Sequence, residues 1–197
     1  MATAKPAASA VTPTSVAVTV LHLQHTGHVL AALTRTTAAP TADVGELTGS
    51  TDFPLAEPGA SGLVLVPADL LTAADLSAPP DILTAFWHWY VDVGVLPAPA
   101  PAPPRLEQVT GTVPTVQRDA GSLTVSSVGD SKAPVLALVH PAGQWGAGTT
   151  ARLRILSFLD ARGRAQLGGG AVTSTDEALV FVQGRPVARY APAPVIN

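Results

Sequence analysis

Cysteine is absent from this chain of 197 residues, which excludes disulfides, thiolate zinc sites and a cysteine nucleophile. Charge is sparse: 13% of residues are Asp, Glu, Lys or Arg, against about a quarter in ordinary soluble domains. Only Lys5 and Lys132 are lysines, and the formal net charge is −3. A nucleic-acid binder concentrates Lys and Arg on one face. Here the close pairs Arg152/Arg154 and Arg162/Arg164 both lie near Asp160, so they read as a solvated face, and no nucleic-acid partner is expected. No apolar run approaches the roughly 18 residues of a membrane span. The segment F-W-H-W-Y-V is too short and contains His88. The first ten residues, M-A-T-A-K-P-A-A-S-A, have no apolar core before Pro13 and do not form a secretory signal. A single asparagine, Asn197, beside heavy use of Ala, Pro, Gly, Val, Thr and Arg, is the bias of a GC-rich genome, as in an actinobacterium-like host or its phage. The expectation is a soluble protein made in the cytoplasm.

What the chain does have is a proline run, L-P-A-P-A-P-A-P-P-R over Leu96–Arg105. Proline lacks the amide donor and fixes φ, so such a run enters neither a helix interior nor a central strand. It favours extended polyproline II, a semi-rigid spacer. The run predicts two modules held apart, and with the strand-like segments read below the chain is expected to be a mainly β protein of two small β-rich modules. Residues 1–14 form an extended arm, 15–96 an α+β module, 97–105 the spacer, 106–191 an all-β module and 192–197 a tail. Modules of this size bury modest cores and gain from a partner surface. A thinly charged exterior is prone to association unless neighbours cover it.

In the first module, Val16 to Thr34 is rich in β-branched residues and reads as a hairpin turning at Thr26-Gly27. Residues 35–61 read as loop, with a short strand near Glu46–Leu47. Leu63–Val66 reads as a buried strand, and Pro67 as the first turn of a short helix through Leu76. Asp81 is a good N-cap, and Ile82, Phe86, Trp89 or Tyr90 and Val93 recur at helical spacing before Gly94. The segments 108–116, 122–128, 134–140, 151–160, 165–172 and 178–189 are short, β-rich and separated by turn residues, which predicts an antiparallel sandwich or barrel.

The candidate chemistry is thin. His22, His25 and His28 are spaced H-x-x-H-x-x-H, and zinc needs three or four converging ligands. Strand side chains alternate between faces, so His22 should point away from His25 and His28. The Gly-rich stretch from His140 to Gly148 precedes a strand-like segment, not the helix N-terminus that a phosphate cradle needs. No G-x-S-x-G is present, and Asp176-Glu177 is the only adjacent acidic pair. No residue is therefore assigned a catalytic, cofactor-binding or metal-binding role.

Trp87, Trp89 and Tyr90 would sit on a helix with Trp87 and Trp89 about 200° apart, one facing the core and the other outward. Tryptophan and tyrosine are common interface anchors, so Trp87, Trp89, Tyr90 and Trp145 are the interface candidates. The expected function is a non-enzymatic structural subunit of a large assembly, such as a phage virion or phage-tail-like particle, that bridges neighbouring subunits, including copies of itself. It would work within the particle and leave the cell by lysis. Two other readings compete. One is a carbohydrate- or protein-binding β-sandwich acting through Trp145 and the loops at Gly129 and Gly163. The other is a metal-dependent hydrolase using His25 and His28.

Overall fold

The computed structural model describes residues 15–35, 43–49, 52–56, 63–94, 104–143 and 151–192. The arm, all but the last two residues of the spacer, Trp145 and the tail after Pro192 lie outside the described residues. The described chain is mainly β. In order it runs β1 (Val16–Leu23), β2 (Val29–Thr34), α1 (Val44–Thr48), β3 (Phe53–Ala56), β4 (Leu63–Val66), β5 (Leu71–Ala78), β6 (Trp89–Val91), β7 (Leu106–Gln108), β8 (Thr115–Asp119), β9 (Ser122–Ser126), β10 (Pro134–Pro141), β11 (Leu153–Phe158), β12 (Arg164–Leu167), β13 (Asp176–Val182) and β14 (Ala188–Tyr190). The pairing is antiparallel throughout. One sheet has the order β2-β1-β5, a second β11-β10-β13-β14 and a third β12-β9-β8, with β3-β4 and β6-β7 as two-stranded ribbons. Among the described residues no sheet closes into a barrel.

The β1–β2 hairpin is present, but its turn is longer than a two-residue Thr26-Gly27 tip. Strand β1 stops at Leu23, and His22 pairs with Val29 across an irregularity between Leu21 and His22. Several expected elements are overturned: Phe53–Ala56, read as loop, is strand β3, and the segment 108–116, read as one strand, is strand only at its ends in β7 and β8. Glu46–Leu47 is not strand but part of α1. Asp43 caps that helix, with its carboxylate accepting from Glu46 N at 2.7 Å and the Glu46 carboxylate accepting in return from Asp43 N. The helix from Pro67 to Leu76 is one 3₁₀ turn (Ala68–Leu70) followed by β5. The helix from Asp81 to Val93 is two 3₁₀ turns (Pro80–Leu83 and Phe86–His88) followed by β6. Bulky aromatics lose rotamer freedom in a helix, and at Trp89-Tyr90-Val91 the alternation of a strand takes over, burying Trp89 and Val91.

The proline run does not hold two bodies apart. The described residues that flank it lie side by side: β6 pairs with β7, and Asp92 N donates to Arg105 O at 2.8 Å. The halves also share a core. Strands β10 and β13 are buried on both faces. Val135, Ala137, Val139, Ala178, Val180 and Val182 cluster with Leu123, Val125, Ala165 and Leu167 of the β12-β9-β8 sheet. Leu136, Leu138, Leu179 and Phe181 point the other way, into one cluster with Leu21, Leu23, Leu30, Val64, Val66 and Leu71 of the first half. A third cluster, including Val18, Val20, Ile82, Trp89 and Val91, lies within the first half.

At the tip of β8 and β9, Ala120 and Gly121 both have positive φ, at 42° and 88°. That is the two-residue turn whose twist matches the flanking strands. It fulfils the expectation of a turn at Asp119-Ala120-Gly121.

Candidate functional site

Polar side chains from both halves converge around the turn that follows β13. Arg185 lies on this turn, and its guanidinium forks onto Asp130, with Nε to Oδ2 at 2.7 Å and Nη2 to Oδ1 at 2.8 Å. The Ser127 hydroxyl donates to the same carboxylate. Burial works to raise the Asp130 carboxyl, but the hydrogen bonds from Arg185 and Ser127 outweigh it and hold the group below the usual carboxylate range. The carboxylate in turn raises the Arg185 guanidinium.

Beside this pair, Tyr90 donates to Glu107 Oε2 at 2.5 Å, and Gln183 Nε2 donates to Asp92 Oδ1 at 3.1 Å. Burial, then the Glu107 carboxylate, pushes the Tyr90 phenol well above its ordinary value. Tyr90, Gly129, Asp130, Ser131, Ala133 and Gln183 line a cavity of about 290 Å³. The arrangement is one of positioning: Asp130 is held ionised and bound by Arg185, so it is poorly placed to take a proton from Ser127.

We expect Arg185→Leu to lower stability by about 2–3 kcal/mol, because it leaves a half-buried carboxylate with one of its two partners. Arg185→Leu combined with Asp130→Leu should recover much of that loss. Urea melts of the single and double variants check this.

The histidines do not converge. His22 is buried with Nδ1 3.2 Å from Leu23 O, and His25 Nε2 donates to Ser157 O at 3.1 Å. His28 is buried with its ring edge-on to Phe181. Its Nε2 donates to Arg185 O at 2.8 Å, and its Nδ1 accepts from the Thr26 hydroxyl at 3.1 Å. A carbonyl can only accept, which fixes the proton on Nε2. Thus His25 and His28 do not face each other as a two-residue turn would require; each ties the hairpin to a different point of the second half. Among the described residues, no three His, Asp or Glu side chains are grouped to hold a metal.

Of the aromatic candidates, Trp89 is 7% exposed and packs in the first-half core. Trp87 is 39% exposed, edge-on to Phe86 and to His88. Tyr90 is half-buried, and Trp145 lies outside the described residues. Sequence reasoning missed Arg185 and Asp130, which lie 55 residues apart with no local pattern between them. It also missed Leu156 and Phe158, which are 50% and 39% exposed. The alternation in L-R-I-L-S-F carried a signal for these two, because an edge strand with one covered face leaves every second residue outside.

Comparison with protein-family models, with curated proteins and with solved structures found no match.

Proposed function

We propose that the chain is a non-enzymatic structural subunit of a large protein assembly, of the kind found in a phage virion or phage-tail-like particle, where it bridges neighbouring subunits. The observation that carries this reading is the exposure of large apolar side chains, on outer strands as well as on the loops at Val113 and Val128. Leu33 stands on β2, and Leu156 and Phe158 stand on β11, the outer strands of their sheets. An exposed apolar edge is a template for pairing, and natural proteins usually blunt it with charge. Here charge is scarce, which supports a surface meant to be covered. The arm at 1–14 and the exposed Trp87 are the further contact elements of this reading.

Size-exclusion chromatography with light scattering over a range of concentrations tests it. We expect species larger than a monomer whose fraction rises with concentration. A monodisperse monomer at every concentration overturns the proposal.

A second reading, a surface-acting sandwich module that binds carbohydrate or protein, is supported by the cavity beside Gly129. Buried Gln183 Oε1 has no hydrogen-bond partner among the described residues, and Gln183 lines that cavity, where a ligand hydroxyl could serve it. The loop at Gly163 does not support it, because this glycine is packed against the carbonyls of Ser127 and Asp130. Glycan-array binding that is lost in Gln183→Leu would favour this reading over the first.

A further inference from the structure

Strand β11 closes one side of the four-stranded sheet, and its free edge has a definite chemistry. Pro134 O accepts from Gln183 N on the β13 side, and proline has no N–H to offer Phe158 opposite it. Ala133 O instead accepts from Leu159 N, on the β11 side. Backbone groups alternate along a strand, so Val135, Ala137 and Val139 bond to Ser157, Ile155 and Leu153. Arg154, Leu156 and Phe158 are left with their N–H and C=O groups turned outward. Among the described residues no strand pairs with that edge.

The same three residues carry the exposed face of β11. Leu156 lies opposite Leu136, on the face that looks toward the first half. Above one end, both oxygens of Asp69 accept from Arg154 at 2.7 Å. Above the other, the His25 ring stands edge-on to Phe158, 5.2 Å between centroids. Between them is a groove of about 490 Å³ that includes Leu70, Leu136 and Leu156 in its walls.

We propose that β11 pairs antiparallel with β11 of a second copy of this chain, across a two-fold axis at Leu156. A two-fold axis normal to the sheet keeps its faces matched, so only residues on the same face can meet. Centring on Arg154 sets two guanidiniums against each other. Centring on Phe158 sets Leu156 against the charged Asp160, and centring on Ser157 leaves only three strand residues paired. Centring on Ile155 uses most of the strand but sets each Leu156 against an Arg154.

Centring on Leu156 sets leucine on leucine and lays each Arg154 against the other copy's Phe158, a cation–ring contact. Ile155 then meets Ser157 on the opposite face. The surroundings agree with this register. Asp69, held over Arg154, comes beside the His25 held over the other copy's Phe158, so an acid meets an imidazole twice about the axis. The register also satisfies the outward backbone groups of Arg154, Leu156 and Phe158 as hydrogen-bonded pairs.

This pairing rests on the proposed bridging role and names its partner surface. The absence of native cysteine permits a direct test on the full chain. In a hydrogen-bonded antiparallel pair, opposed Cα atoms lie about 5.5 Å apart, within reach of a disulfide. Leu156→Cys should therefore convert to a covalent dimer under mild oxidation. Arg154→Cys, whose two copies would be displaced by four residues or about 13 Å, should stay monomeric on denaturing gels.

Leu156→Lys, a change at a half-exposed position, should lower the dimer fraction of the otherwise native chain at least tenfold and leave its circular dichroism unchanged. Leu156→Cys that remains a monomer, or links no faster than Arg154→Cys, overturns the pairing. If the native chain still assembles in that case, the bridging role stands and uses another face. A native chain that is monomeric throughout overturns both.

Discussion

Gly27→Ala should give little or no folded protein at 25 °C, with a loss of more than about 4 kcal/mol in any material recovered. Gly27 lies in the loop between β1 and β2 with φ of 74°, a region that L side chains rarely adopt. The strain is the smaller part of the cost. A Cβ there would lie 1.8 Å from Val91 O, and the obstacle is backbone, not a movable side chain. The approach is close because Gly27 O accepts from Val91 N at 2.8 Å while Gly27 N donates to Leu23 O at 2.8 Å. A methyl group would therefore separate the hairpin from β6 and disturb the bridge between His28 and Tyr90. Far-ultraviolet circular dichroism and the yield of soluble chain read the outcome. A Gly27→Ala variant that melts within a few degrees of the native chain would show that the loop can retreat from β6.

Mild acid should destabilise the fold through a buried imidazole. Burial lowers the His28 imidazole from 6.5 to about 4, and hydrogen bonds at Arg185 and Thr26 offset this only in part. The folded value lies below the unfolded one, so the unfolded chain takes up a proton first as pH falls. The stability due to neutral His28 is complete above about pH 7 and drains away between 6.5 and 4, amounting to about 3 kcal/mol once both values are passed. Burial also lowers His22 and His140, so they act in the same direction. Urea unfolding at pH 7.5 and pH 4.5 should differ by at least about 2 kcal/mol. His28→Gln, which keeps a donor toward Arg185 O, should remove most of the share due to His28. Equal pH dependence in the native chain and in His28→Gln would refute the assignment.

The second half of the fold was largely legible in sequence. Turn residues fall between β8 and β9 at Asp119-Ala120-Gly121 and between β11 and β12 at Ala161-Arg162-Gly163, and both turns are present. The first half was less so. The aromatic cluster at 86–91 matches helical spacing and strand alternation almost equally well, and tertiary pairing with β7 and the bridge from His28 decide for strand. The α1 capping box was visible as Asp43 and Glu46 three residues apart, but no apolar stripe followed to mark a helix.

The shared core also left a trace. The run V-L-A-L-V from Val135 to Val139 is apolar at odd and even positions alike, as expected of a strand covered on both faces. That pattern calls for cover on both faces of the sheet, and residues of the first half supply one of the two. The Arg185–Asp130 fork and the separation of His25 from His28 depend on contacts between distant segments, which no local pattern encodes.

Asp92 and Arg105, just beyond the adjoining strands β6 and β7, are joined backbone to backbone, so the ends of any tether between them are already held together. Doubling the length of that tether would cost only about 0.6 kcal/mol in closure entropy. On that length term alone, a fluorophore, an epitope or a whole second protein inserted between them would cost the paired strands little.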